Sequence, residues 1–398
     1  MTFAEKIGLR EFLKRNLCWW GLLLVFAVTF FWPDRKEATN VSRILLLSPV
    51  LLCLSWPVVR GVLKISAFRW FAALSLFFSI SMLWGAEASA IDNHLLRILS
   101  GWLLVFMLYC VACYRPESFA RLDKVLVGFG LVWLVFLLTD WGSVWQTGPR
   151  FVIHEVSRGV FNHHLQVGWM LAVLTLLAIQ GVFRSKTLAA KTCMVTTSIV
   201  FFALLLLAQA RGGLLVFFSG LLVWLFIYLR GGRWFGAAGL LAMLAGVGIA
   251  IRLFLPELYQ SLIARGSAGR FHIWQNWFEI WQVSPAKVFL GYGLNSSPEN
   301  SLGHFVAAHY HNFYLNTLFY GGLVGLALMF GWLFSSLRAC FKSRQYTSPW
   351  FTVVIGMLAG FLTDGDKLFN YPGAMTFCFL LPMFCLVLSA ENLRSEQF

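Results

Sequence analysis

Long apolar runs separated by short polar segments dominate the chain. A membrane-spanning helix needs about 20 apolar residues, and some spans are as short as about 17. By that rule the pattern predicts twelve spans, at residues 17–32, 44–59, 70–84, 98–113, 125–139, 165–182, 192–208, 212–229, 234–255, 313–337, 350–363 and 374–390. We therefore expect an all-α, polytopic integral membrane protein.

The predicted spans divide the chain into three parts. Residues 1–255 hold transmembrane helices 1 to 9, and residues 313–398 hold helices 10 to 12. Between them, residues 256–312 form a large outer loop that is rich in aromatic, histidine and turn residues. Function concentrates in long loops that are carried by a rigid scaffold, so this loop is the predicted catalytic region.

Composition supports a membrane protein and argues against nucleic-acid binding. Of the 398 residues, 59% are hydrophobic and only 12% are charged, whereas a soluble domain carries about 25% charged residues. The net charge of +14 is spread in small groups of Lys and Arg between apolar runs, with no basic block or arm. That pattern is typical of loops facing anionic membrane lipids, so we predict lipids and no nucleic acid as partners.

The basic residues also predict the orientation of the chain. One alternating set of loops and ends contains 19 of the 31 Lys and Arg residues but only six of the 17 acids. Since cytoplasmic loops carry an excess of Lys and Arg, both termini are expected in the cytoplasm. All eight histidines fall in the opposite set, at positions 94, 154, 163, 164, 272, 304, 309 and 311. The active face is therefore predicted to point outward, into the periplasm.

The first chemical motif is Arg211-Gly212-Gly213, at a break between two apolar spans. An arginine near the membrane without an adjacent acid is costly unless it faces a cavity or snorkels to the surface. The glycines allow a ligand or a neighbouring helix to approach the backbone closely. Both interpretations, an interface arginine and a functional one, remain open from this motif alone.

The second motif is Arg270, which opens a segment with aromatic residues at helical spacing up to Ser284. The spacing predicts an amphipathic helix along the membrane interface. A cation in the first turn opposes the helix dipole. Binding of a phosphate would explain it, because helix amides and a guanidinium then act on one anion. The alternative is a solvated arginine.

Histidines at the outer mouth of the tenth span form the third motif. His309 and His311, followed by Asn312, can perform acid–base chemistry near neutral pH. The alternatives are interface histidines or ligands of an opportunistic metal. No cluster of carboxylates accompanies them, so we predict no metal site. Asn316 lies one helical turn after Asn312 and is expected to face the same cavity.

Glycines near this motif are interpreted structurally. Gly321 and Gly325 have the spacing of a close helix–helix contact. The turn-rich stretch Gly291-Tyr292-Gly293 is by itself weak evidence of a function, and we expect it to lie beneath the histidine motif.

In this order, the motifs resemble the O-antigen ligase and polymerase superfamily, mainly over residues 205–330. The matching pieces are Arg211-Gly212-Gly213-x-Leu215, Arg270-x-x-x-Trp274, Gly291-x-Gly293, His311-Asn312-x-x-Leu315 and Tyr320-Gly321-Gly322-Leu323-Val324-Gly325. The resemblance implies a transferase of the bacterial inner membrane that needs no cofactor and uses an undecaprenyl-diphosphate-linked glycan as donor. In the ligase branch the acceptor is a sugar of the lipid A core.

The resemblance also implies roles for residues. The catalytic arginines of the family correspond to Arg211 and Arg270, and the catalytic histidine corresponds to His311. Two arginines can neutralise a diphosphate leaving group without a metal, and a neutral His311 can act as general base in an inverting displacement. Asn312 is a candidate to orient His311, and His309 is its rival as base. Both are also candidates for substrate binding, together with Arg158, His163 and Arg265.

Three alternatives to a ligase stay open. A polymerase of the lipid-linked glycan and a protein O-glycosyltransferase share the scaffold and the mouth residues. A transporter for the lipid-linked glycan belongs to a different class. Transporters are expected to show internal repeats and ionisable groups near mid-membrane, and neither is evident in the sequence.

Overall fold

The computed structural model describes residues 9–32, 34–139, 164–230, 234–254, 256, 260, 270–281, 284–296, 311–365, 367–370 and 372–391. These residues form helices and turns, and no strand occurs among them. The first half of this part contains α1 Leu9–Phe31, α2 Arg35–Cys53, α3 Trp56–Lys64, α4 Ser66–Ser81, α5 Ile91–Tyr114, α6 Pro116–Phe119, α7 Leu122–Thr139 and α8 His164–Arg184. The second half contains α9 Leu188–Leu207, α10 Arg211–Arg230, α11 Trp234–Phe254, α12 Arg270–Trp281, α13 Pro285–Leu290, α14 Phe313–Lys342, α15 Pro349–Gly360 and, after a π-helical turn at Thr376–Leu380, α16 Leu381–Ala390.

The helices confirm the all-helical class and overlap each of the twelve predicted spans. Within the described residues, six helices are long and apolar enough to cross a membrane, and a bent pair would make a seventh. The six are Ser66–Trp84, Ala88–Tyr114, Leu165–Arg184, Leu188–Leu207, Arg211–Leu229 and Phe313–Lys342. A polytopic membrane protein is therefore supported, whereas the count of twelve spans stays a prediction.

The second predicted span, residues 44–59, is broken in the structure. The helices Lys36–Cys53 and Trp56–Lys64 meet at an angle of 108°. Leu54 and Ser55 between them have extended backbone. Pro57 is tolerated in the first turn of the second helix, but without an N–H it cannot continue a helix that runs on from Cys53. The predicted span therefore contains a sharp turn instead of one continuous helix.

Glycines bring α4 and α14 into close antiparallel contact. A Cβ atom at Gly321 would lie 2.9 Å from the ring of Phe78, and one at Gly331 would lie 2.6 Å from Trp70. Further along, the Ser335 hydroxyl donates to Ser66 at 3.0 Å. A Cβ at Gly325 would lie 3.2 Å from the ring of Phe77. The helix contact predicted from Gly321 and Gly325 is therefore observed.

A second glycine contact joins α8, α10 and α15. A Cβ at Gly213 would lie 2.6 Å from the backbone carbonyl of Gly168 in α8. A Cβ at Gly356 in α15 would lie 2.5 Å from the backbone oxygen of Val216 in α10. Dispersion attraction is largest when backbones approach this closely, and small residues are what permits it in membranes. The glycines after Arg211 thus pack against neighbouring helices.

Replacing Gly213 by alanine should destabilise the protein, because the new methyl group collides with backbone that cannot move aside. Overpacking of this kind costs about 1–3 kcal/mol. Thermal unfolding of the purified protein in detergent measures the effect. The matched control is Gly128→Ala in α7, where a Cβ meets nothing within 4 Å. Equal unfolding midpoints for the two variants would contradict the close packing of α8 and α10.

Candidate active site

The turn at residues 361–365 is docked on the first turn of α14. The amide of Phe313 donates to the carbonyl of Phe361 at 3.1 Å. The side-chain amide of Asn312 donates to the carbonyl of Leu362 at 2.9 Å, and that of Asn316 donates to the carbonyl of Gly365 at 2.7 Å. The two asparagines bond to the same turn, and together these bonds fix the turn against the helix; that both face one cavity stays a prediction.

Asn312 is also the N-cap of α14. Its side-chain oxygen accepts hydrogen bonds from the amides of Tyr314 and Leu315, both at 3.0 Å. An N-cap asparagine satisfies amides that have no partner within the helix. One side chain therefore starts the helix and ties the turn to it, and its described hydrogen bonds go to backbone rather than to His311.

The docked turn places a carboxylate beside His311. His311 Nδ1 lies 3.2 Å from Asp364 Oδ1, and the amide of Gly365 donates to the same oxygen at 2.9 Å. The Asp364 side chain is only 4% exposed, whereas that of His311 is 27% exposed. An ionised carboxylate only accepts hydrogen bonds. The pair therefore selects the ring tautomer with its proton on Nδ1, which leaves a lone pair on Nε2.

Backbone strain coincides with this pair. His311 has a φ of 49°, in the left-handed region that side chains rarely adopt. Gln209, two residues before Arg211, has the same unusual φ. Strained non-glycine residues cluster at functional sites, where the surrounding structure holds them in place. Two of the strained positions in the described part of the chain thus flank the Arg211 and His311 motifs.

The amino end of α10 lies against the carboxylate. A Cβ at Gly212 would be 3.5 Å from Asp364 Cβ and 3.2 Å from the indole nitrogen of Trp169. Arg211 is the first residue of α10 and is partly buried. The partial positive charge of a helix amino end favours a nearby anion. The fold therefore brings the Arg211 motif to the His311 motif, although 100 residues separate them in sequence.

Two buried polar atoms face this junction. Asp364 Oδ2 and Trp169 Nε1 have no hydrogen-bond partner within the described residues. Burial of an unpaired polar atom costs about 1–3 kcal/mol. The interior beside the His311–Asp364 pair therefore contains one donor and one acceptor that the described residues leave unpaired.

The turn at Gly291-Tyr292-Gly293 packs on α14, the helix that begins just after His311. Gly322 has a φ of 60° and interrupts the helical geometry of α14. The carbonyls of Phe319 and Tyr320, just before the interruption, accept from the amides of Tyr292 and Gly293 at 2.8 and 3.0 Å. A Cβ at Gly322 would lie 2.3 Å from the carbonyl oxygen of Phe289. Only glycine fits here. The turn thus packs on residues 319–322 of α14, while its expected position beneath the histidine motif stays a prediction.

Aromatic and cationic contacts hold this turn. The ring of Tyr292 stacks on Phe319 with centroids 4.6 Å apart, and burial raises the pKa of Tyr292. Lys367 donates to the carbonyl of Leu294 at 3.2 Å and lies 4.2 Å from the centroid of the Tyr320 ring. A cation over an aromatic face is attracted by the ring quadrupole. The turn is therefore a rigid support for the outer end of α14.

The predicted amphipathic helix is α12, and Arg270 is its first residue. Trp277 is buried, whereas Phe271 and Phe278 are exposed. Trp277 and Trp281 stack with centroids 5.4 Å apart. One aromatic face thus packs inward and another faces outward, as an interfacial helix requires. Arg270 is partly buried at the amino end.

Four predicted site residues, Arg158, His163, Arg265 and His309, lie outside the described residues, so their interpretation stays a prediction. Across the ranges that the structure does describe, no three His, Cys, Asp or Glu side chains are arranged to hold a metal ion. Asp364 was not predicted. Its only local signal is an acid directly after a short apolar run, residues 350–363, at the predicted outer surface.

A helical membrane scaffold with a histidine–carboxylate pair beside an arginine-bearing helix end is typical of a polytopic membrane enzyme. Two comparisons with known proteins show what the chain is similar to. Residues 196–330 match the family model described as O-antigen ligase, a region that includes Arg211, Arg270 and His311. The chain is also 26% identical over 389 residues to an O-antigen ligase of Pseudomonas aeruginosa, covering 94% of this chain and 92% of the relative. The two matches confirm the resemblance of the chain to the O-antigen ligase superfamily.

Two substitutions at Asn312 separate its two structural functions. Asn312→Ala removes both the cap and the bond to Leu362, and loss of an N-cap alone costs about 0.5–2 kcal/mol. Asn312→Asp keeps an oxygen for capping but loses the donor. We expect both variants to lower the thermal unfolding midpoint, the alanine variant more. An alanine variant as stable as the parent would show that the turn is held without Asn312.

Proposed function

We propose that this protein transfers an O-antigen glycan from undecaprenyl diphosphate to a sugar of the lipid A core. The reaction takes place at the periplasmic face of the bacterial inner membrane. The observation that carries the proposal is the His311–Asp364 pair, 3.2 Å apart, beside the helix that begins with Arg211. The family match and the Pseudomonas aeruginosa relative support the same class of reaction.

The proposed chemistry is one direct displacement at the anomeric carbon of the donor. His311 Nε2 takes the proton of an acceptor hydroxyl, and the hydroxyl oxygen bonds to the anomeric carbon. The bond from that carbon to the diphosphate oxygen breaks, and the diphosphate leaves with the electron pair. Because the acceptor attacks from the face opposite to the leaving group, the anomeric configuration inverts.

Asp364 has a positioning role in this mechanism. Its carboxylate holds the proton of His311 on Nδ1, so that Nε2 is available as base. After proton transfer it stabilises the imidazolium, as the carboxylate does in a Ser-His-Asp triad. The amide of Gly365 fixes the same carboxylate oxygen at 2.9 Å. Low exposure of Asp364 strengthens the interaction, since water screens it less.

Arg211 and Arg270 are proposed to bind the diphosphate. Each is the first residue of a helix, α10 and α12. A guanidinium and the free amides of a helix amino end are complementary to the same phosphate oxygens. Two such groups neutralise the charge that develops on the leaving diphosphate, and a metal is then not required. Arg158, His163, Arg265 and His309 remain proposed contacts to sugar or phosphate.

The test of the function uses purified protein in detergent with a lipid-linked donor and lipid A-core as acceptor. Transfer without any ion gradient, detected as glycosylated lipid A-core by mass spectrometry, is the expected result. A longer lipid-linked glycan as the only product would instead indicate a polymerase, and a modified exported protein would indicate a protein glycosyltransferase. Absence of transfer to every acceptor would contradict the enzyme class.

Loss of the base should abolish transfer but not binding. We expect His311→Ala to retain affinity for the lipid-linked donor, because the arginines bind it, and to lose product formation. Asp364→Asn should keep KM and lower kcat by about 10²–10⁴, since an amide donor favours the wrong tautomer of His311. Steady-state kinetics and donor binding by the same preparations measure both effects.

Near-normal turnover of His311→Ala would exclude His311 as base and turn attention to His309. Equal turnover of Asp364→Asn and the parent would exclude the positioning role of Asp364. Activity in EDTA is expected to equal activity in its absence. Loss in EDTA with recovery on adding a divalent ion would overturn the metal-independent mechanism.

Arg270→Lys should weaken transfer even though the charge is kept. A guanidinium binds phosphate through two parallel hydrogen bonds, whereas an ammonium acts as a point charge. We expect kcat/KM to fall by about tenfold or more, which corresponds to about 1.4 kcal/mol. The matched control is Arg252→Lys at the exposed end of α11. If both variants are as active as the parent, Arg270 does not hold the diphosphate.

A further inference from the structure

Two adjoining cavities lie at the end of α8 that is opposite to the His311 site. Their volumes are about 460 and 310 Å³, and Arg184 and Thr347 line both of them. Trp169, which faces Asp364, and Arg184 lie on the same helix. At about 1.5 Å per residue, the two positions are roughly 22 Å apart along the axis. The cavities are therefore separate from the proposed catalytic site.

In the larger cavity, a buried carboxylate fixes the orientation of Arg184. Arg184 Nη1 donates to Asp123 Oδ2, and the Asp123 side chain is 5% exposed while that of Arg184 is 43% exposed. A guanidinium carries five N–H donors in a planar fork. One edge is used by Asp123, and the exposed remainder can donate to a second anion. Asp123 thus fixes the orientation of the Arg184 guanidinium and leaves part of it accessible to a ligand.

Further features of this cavity favour an anion. The amino end of α15, with Ser348 and Pro349, lines it, and Ser348 makes no side-chain capping bond. Pro349 has no N–H, and the amides of Ser348 and Phe351 donate to backbone carbonyls. The amide of Trp350, which also lines the cavity, is therefore the donor that this helix end offers to a phosphate. Neighbouring cations on the segments that form the wall are Arg115, Arg121, Lys124, Lys186 and Arg344, and the neighbouring acids are Glu117 and Glu391. Cations therefore outnumber acids around the cavity even when Asp123 is counted.

Asp123 provides a second, independent indication of a ligand. It lines the cavity, and its Oδ1 is buried with no hydrogen-bond partner in the described ranges. A buried carboxylate oxygen without a donor is costly. A ligand with both a phosphate and a hydroxyl group would satisfy the arginine and the carboxylate together.

The smaller cavity is aromatic. Phe183, Trp224 and Tyr228 line it, with ring centroids 4.6 to 4.8 Å apart. Trp and Tyr are enriched where membrane meets water. An apolar cavity that shares its arginine with a phosphate-binding cavity matches the two halves of a phospholipid.

We propose that these cavities bind an anionic phospholipid with a glycerol headgroup. The phosphodiester contacts Arg184 and the amino end of α15, a headgroup hydroxyl donates to Asp123, and an acyl chain lies along the aromatic cluster. In the predicted topology this end faces the cytoplasmic leaflet, whose anionic lipids attract basic segments. The proposal is independent of the transferase function, since it concerns the opposite end of the helices.

The experiment measures binding to purified full-length protein in detergent by native mass spectrometry. Dioctanoyl phosphatidylglycerol is the probe, dioctanoyl phosphatidylcholine has the same chains without the anionic headgroup, and glycerol 3-phosphate has the phosphate without chains. The variants are Arg184→Gln and Thr347→Phe, which blocks the junction of the cavities from an exposed position. Lys191→Gln, an exposed cation outside both cavities, is the matched control.

We expect phosphatidylglycerol to bind the parent and the Lys191 variant equally. Arg184→Gln and Thr347→Phe should weaken binding by about tenfold or more, which is at least about 1.4 kcal/mol. Thr347→Phe leaves the Arg184–Asp123 pair intact, so it still tests lipid binding if Arg184→Gln fails to fold. Parent-like binding by Thr347→Phe, or equal binding of phosphatidylcholine, would overturn the proposal. Glycerol 3-phosphate binding as tightly as the lipid would overturn the lipid as occupant.

Discussion

The docking of the 361–365 turn on the first turn of α14 is the contact on which the site depends. Three hydrogen bonds to backbone carbonyls, from Phe313, Asn312 and Asn316, fix the turn. They satisfy carbonyls that follow the end of α15, where no further helical donor is available. Because the turn is held through its backbone, the side chain of Asp364 is free to face His311. The backbone of this segment thus fixes its position, and the side chain of Asp364 interacts with His311.

Close packing of glycines places the second half of the site. Gly213 contacts the backbone of Gly168, and Gly212 leaves room for Asp364 and Trp169. A larger residue at either position would push the amino end of α10 away from the carboxylate. The close approach of Arg211 to the histidine–carboxylate pair therefore depends on the lack of a side chain at both glycines. A polar site within an apolar bundle is positioned here by steric fit, since few charged contacts are available to position it.

The features that could be predicted from the sequence are those that depend on local sequence patterns. Apolar runs predicted the helices, and the sequence motifs identified Arg211 and His311, which the fold brings to the same place. Asp364 was not predicted, because it pairs with a histidine 53 residues away and no motif surrounds Asp364 itself. The interruption at Gly322 was not predicted either. The helix contact predicted from Gly321 and Gly325 is confirmed. The left-handed backbone of Gly322 accompanies hydrogen bonds from the amides of residues 292 and 293 to carbonyls of α14, which are distant in sequence.

The order of these contacts along the chain has a consequence for biogenesis. Arg211, His311 and Asp364 belong to three separate hydrophobic segments, and the histidine and the carboxylate are 53 residues apart. At a synthesis rate of about 5–20 residues per second, Asp364 is added roughly 3–11 s after His311. The pair therefore forms only after α14 and α15 have both been synthesised and packed together. A chain terminated before residue 361 would contain most of the helices but leave His311 without its carboxylate.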